Sequence, residues 1–125
     1  MGSPVVHFEI IGKDPRKLHD YYGELFGWQF HVGDALSEEV SAPGQYGFVD
    51  GSTTGGINGG VGGGADHENE VLVYIGVPKV EEALAKAESL GGKRVLGPVK
   101  APDGDFVVGQ FTDPEGNLIG LAGSE

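Results

Sequence analysis

Apolar and polar positions alternate over Val5–Ile11, Trp28–Val32 and Tyr46–Asp50, the period of half-buried strands. Between the first two runs, Leu18, Tyr21, Tyr22, Leu25 and Phe26 fall at helical spacing. Asp14 is placed to cap that helix, Pro15 suits its first position, and Gly27 suits its left-handed end. Thr54–Gly60 reads as a weaker fourth strand and Gly33–Gly44 as a polar loop. The order strand, helix, strand, strand, strand then returns. Glu70–Val77 is the strand, and Pro78–Leu90 the helix, with Val80, Ala83, Leu84, Ala87 and Leu90 on one face. Gly91-Gly92 stops it, and Lys93–Leu96, Phe106–Thr112 and Asn117–Ala122 follow as strands. Gly62–Asn69 joins the halves.

Two βαβββ modules, about 4–61 and about 69–125, are therefore expected in one α+β domain over 1–125. Superposing them sets His7 opposite Leu72, Glu9 opposite Tyr74 and Gly27 opposite Gly91.

The 125 residues suffice for one domain with a real core. A formal net charge of −11 opposes nucleic acid as a partner. No apolar run is long enough to span a membrane. Met1-Gly2-Ser3-Pro4 leads straight into a strand pattern without a leader, and no cysteine is present, so a cytoplasmic, acidic protein is expected. The 24 glycines crowd Gly44–Gly64. That run lacks the Lys-Ser/Thr ending and following helix of a phosphate loop.

Three pieces in order resemble the vicinal-oxygen-chelate superfamily of glyoxalase I, bleomycin-resistance proteins and extradiol dioxygenases. They are His7-Phe8-Glu9-Ile10 with the helix ending Leu25-Phe26-Gly27-Trp28, then Val73-Tyr74-Ile75-Gly76-Val77 with the helix ending Leu90-Gly91-Gly92, and finally the Asp113-Pro114-Glu115-Gly116-Asn117 turn. The glycine-rich Gly55–Gly64 is similar to the fourth-strand region of a glyoxalase-like subgroup. The resemblance implies curved mixed sheets forming a cup, commonly in a homodimer.

It also implies metal ligands on the first and last strands of each half. His7 matches the first-strand ligand, and it is the one strong match. Leu72 and Gly120 stand at two further ligand places and bring no donor, while Asn58 is the polar candidate on the remaining strand. No metal or other cofactor is therefore expected. His19 and His67 read as solvated, and His31 as facing away from Phe30.

Alternation assigns His7, Glu9, Leu72, Tyr74, Phe106, Gln110 and Gly120 to the cup, with Asn58 beside them. Tyr46 and Phe48 share one face of their strand, and the sequence leaves open which. These ten residues are the candidate ligand site, with His7 and Glu9 as candidate catalytic groups. The function expected is metal-independent binding of a small, partly apolar or aromatic molecule. The alternatives are a metal-dependent or acid–base lyase, isomerase or dioxygenase, and a dimeric interaction module without a ligand.

Overall fold

The computed structural model describes residues 2–102 and 104–125, so Met1 and Asp103 lie outside the account. The elements run β1 (Val5–Gly12), α1 (Pro15–Phe26), β2 (Phe30–Gly33), β3 (Tyr46–Val49), α2 (Gly51–Thr54), β4 (Asn58–Gly63), β5 (Glu70–Gly76), α3 (Val80–Ser89), β6 (Lys93–Lys100), β7 (Val107–Thr112) and β8 (Leu118–Gly123). This is the α+β class, with the βαβββ order twice. Contacts group the chain into two compact units. One is His7–Val71, and the other joins the N-terminal residues through Val6 to Leu72–Glu125.

In the first unit the strands run β2-β3-β4-β1. β1 and β4 are parallel, with His7 beside Asn58 and Glu9 beside Gly60. α1 starts where Asp14 Oδ1 accepts from the Lys17 amide and Pro15 opens the first turn. It ends at Gly27, whose φ of 72° and N–H bond to the Gly23 carbonyl form a left-handed cap. Phe8 faces this helix, with its ring 5.1 Å from Trp28, which also meets Tyr22 and Phe26. Phe30 is on the same side, stacked 4.7 Å from His19. The His19 Nε2–H donates to the Val61 carbonyl at 2.6 Å, so His19 braces the sheet and is not the solvated residue expected.

The glycine-rich run departs from the expected strand over Thr54–Gly60. Asp50 caps a short helical turn through the Ser52 amide, Gly55 closes it at φ 79°, and the strand shifts to Asn58–Gly63. The rings around β4 account for its glycines. A Cβ at Gly59 would collide with the Phe8 ring, and one at Gly60 with the Tyr46 ring. Strand β4 can pass between two aromatics only as bare backbone. The loop before β3, expected to be polar, sends Val40 and Ser41 inside. Ser41 Oγ accepts from the Gly63 amide at 3.0 Å and fastens that loop to the end of β4.

In the second unit the strands run β5-β8-β7-β6, with β5 and β8 parallel and Tyr74 beside Gly120. Val80 and Leu84 of α3 are fully buried against Val107 and Leu121, with Ile75, Val77, Ala83 and Phe111 around them. Each such side chain contributes about 1.5–3 kcal/mol on burial. Arg94 of β6 reaches α3 through both oxygens of Glu81, at 2.8 and 2.7 Å, and through Glu88 at 3.0 Å. In the β7–β8 turn, Asp113 Oδ1 accepts from the amides of Glu115 and Asn117, and its Oδ2 from the Asn117 side chain. Those bonds hold the Asp113 carboxyl below its ordinary pKa. Gly116, at φ 93°, supplies the left-handed residue.

Candidate functional site

With Phe8 and Phe30 turned to α1, strand alternation turns His7, Glu9, Tyr46 and Phe48 to the opposite face of the first unit's sheet. This settles the side of β3 that the sequence left open. The Tyr46 ring lies against Gly60 and Gly62, which have no side chains to lift it. Its hydroxyl is thereby set between two residues of β1. It donates to Glu9 Oε1 at 2.8 Å and meets His7 Nε2 at 3.0 Å. Glu9 and Tyr46 are each only 3 % exposed. Phe48, 41 % exposed, packs its ring 4.8 Å from that of Tyr46. Burial pushes the His7 imidazole down to about 4, so it is neutral at ordinary pH.

The direction of the His7–Tyr46 bond follows the imidazole tautomer. Carboxyl, phenol and imidazole form one connected chain. It lies on a face that also offers aromatic surface.

In the second unit, Leu72 and Tyr74 lie on the face of β5 away from α3, since Ile75 packs against the helix. Tyr74 accepts from Gln110 Nε2 at 2.8 Å, and both side chains are buried. Its ring covers Gly120, where an added Cβ would overlap it. The tyrosine-on-glycine arrangement thus occurs in both units.

Two candidates stand elsewhere. Asn58 Oδ1 accepts from the Gly51 amide at 2.8 Å, so its side chain braces the α2 turn. By register, Gly60 beside Glu9 is the counterpart of Gly120 beside Tyr74. Phe106 lies one residue before β7, which starts at Val107. Its carbonyl accepts from the Ala101 amide to close a loop, and its exposed ring lines a groove of about 620 Å³ with Pro4, Val6 and Gly76.

The residues at the places implied for a divalent metal do not fit one. Leu72 and Gly120 have no donor atoms, a tyrosine ring occupies the space over Gly120, and His7 Nε2 is bonded to Tyr46. Among the described residues no three His, Cys, Asp or Glu side chains are grouped to hold an ion. Of the remaining histidines, His31 sits beside Phe48 in the β2–β3 register, facing away from Phe30 as expected. His67 is half-buried and meets the Glu38 carbonyl at 3.0 Å through Nε2, so it is more enclosed than a solvated loop residue.

Comparison with solved structures gives fold-level likeness over nearly the whole chain. A hypothetical protein from Bacillus halodurans C-125 superposes with a TM-score of 0.72 at 15 % identity, covering 100 % of this chain and 96 % of that one. A Streptomyces coelicolor methylmalonyl-CoA epimerase variant, in complex with 2-nitronate-propionyl-CoA, gives 0.70 at 14 % identity, covering 97 % and 94 %. The methylmalonyl-CoA epimerase of Mycobacterium tuberculosis gives 0.66 at 13 %, covering 95 % and 86 %. No curated protein sequence matches the chain. The glyoxalase-like domain profile matches residues 7–122, and with the two βαβββ units this places the chain in the glyoxalase-like domain family of the vicinal-oxygen-chelate superfamily.

Proposed function

We propose that this chain binds a small, partly apolar or aromatic molecule without a bound metal, on the sheet face that carries His7, Glu9, Tyr46 and Phe48. The observation that supports it is the Glu9–Tyr46–His7 chain beside the Phe48 ring. Aromatic surface with a few fixed polar groups is the usual make-up of a small-molecule site. Tyr74 and Gln110 offer a similar aromatic and amide pair on the second unit. Metal-dependent lyase, isomerase or dioxygenase chemistry is the weaker reading, because the donor set fails at Leu72 and Gly120.

The test is calorimetric titration with a panel of neutral and cationic aromatic compounds, with and without EDTA. Saturable binding that EDTA leaves unchanged is expected. Phe48→Ala should weaken it by about tenfold, the scale of one lost aromatic contact. Stoichiometric Zn, Ni, Fe or Mn in protein purified without chelator would reverse the conclusion.

A further inference from the structure

We propose that the pocket where β1 leads into α1 binds a free α-amino acid with an apolar side chain. The pocket measures about 460 Å³, a size suited to a small molecule. Its lining residues all belong to the His7–Val71 unit. None of them is His7, Glu9, Tyr46 or Phe48, so this site is separate from the binding face proposed above.

Apolar surface comes from Ile11, Leu18 and Val71. Ile11 is buried, whereas Val71 is 78 % exposed, so an apolar side chain seated here would cover it. Gly12 adds no side chain to the wall. A Cβ there would meet Leu18 Cδ1 at 2.7 Å, and the wall between β1 and α1 is bare backbone at that point.

Charges of both signs line the same pocket, and two of them are already engaged. Lys13 Nζ donates to the His67 carbonyl at 2.9 Å and lies 3.9 Å from Glu68. Asp14 Oδ1 accepts from the Lys17 amide at 3.2 Å. The Lys17 ammonium and the Glu70 carboxylate, by contrast, have no ion-pair partner among the described residues. One unpaired cation and one unpaired carboxylate around an apolar cleft suit a ligand that carries both charges on one carbon. A simple anion would be opposed by Glu70, and a simple cation by Lys13 and Lys17. A zwitterion meets neither opposition, with its carboxylate towards Lys17 and its ammonium towards Glu70.

Amide NMR titration with L-leucine tests the proposal. Saturable shifts are expected at Gly12, Lys17 and Val71. N-acetyl-leucine lacks the ammonium, leucinamide lacks the carboxylate and glycine lacks the side chain. Each should bind about tenfold more weakly than L-leucine, the scale of one charge-assisted hydrogen bond or one buried small side chain. Lys17→Gln and Glu70→Gln replace exposed side chains, and each should raise the Kd for L-leucine about tenfold. The losses should be matched to the charge removed. Lys17→Gln should leave the Kd for leucinamide unchanged, and Glu70→Gln that for N-acetyl-leucine. Phe48→Ala should leave L-leucine binding unchanged. N-acetyl-leucine or leucinamide binding as tightly as L-leucine would overturn the proposal. So would unsaturable shifts at these amides, or loss of L-leucine binding in Phe48→Ala.

Discussion

His7 couples the site to the stability of the fold. Its imidazole protonates near 6.5 in an unfolded chain and near 4 in the folded one, so between those values the unfolded state binds more protons. Stability from this group is therefore full above about pH 6.5 and is lost as pH falls towards 4. The loss amounts to about 3 kcal/mol, because each tenfold change in proton affinity is worth about 1.4 kcal/mol. Urea unfolding of wild type and His7→Gln across that range should show a slope in the first that is smaller in the second. That His7 and Glu9 share one face of β1 was legible in the sequence, because strand alternation puts them there. Tyr46 as their partner was not. It lies 37 residues from Glu9, and its face depends on which way β3 turns beneath α1.

Among the elements, those with chemical punctuation could be read closely. Asp14, Pro15 and Gly27 mark α1, and Gly91 with Gly92 stops α3, because capping depends on local residue type. Strand β4 could not be read this way. Asn58–Gly63 has four glycines and almost no side-chain pattern, and rings from other strands fill the space its side chains would take. The start of β7 differs by one residue from the expected strand, because alternation runs on through Phe106 while the strand starts at Val107. The ring-on-glycine contacts make a sharp prediction. Gly60→Ala and Gly120→Ala should each destabilise by about 1–3 kcal/mol, the scale of overpacking, in urea titrations. Neither residue has a positive φ, so the cost would come from displaced Tyr46 or Tyr74 and not from backbone strain.

For the whole molecule, surface character is the guide. Tyr21, Leu25 and Phe26 of α1 are 58 %, 55 % and 56 % exposed, beside the Tyr22 and Trp28 rings. Grouped apolar exposure of this kind favours self-association. Size-exclusion chromatography with light scattering should give a dimer mass, and Tyr21→Ser combined with Phe26→Ser should shift it towards the monomer. At low salt the charge of −11 on each chain opposes that contact, so the dimer should tighten as ionic strength rises. No helix among the described residues is long and apolar enough to cross a membrane.

The tyrosine rings on Gly60 and Gly120 also constrain how such a protein could change its chemistry over generations. A carboxylate cannot arrive at position 120 while Tyr74 covers it, because the first carbon of the new side chain already meets the ring. A small residue at position 74 would have to come first, at the cost of the Gln110 bond and with no donor yet gained. Each single step is a loss, and only the pair together opens the position.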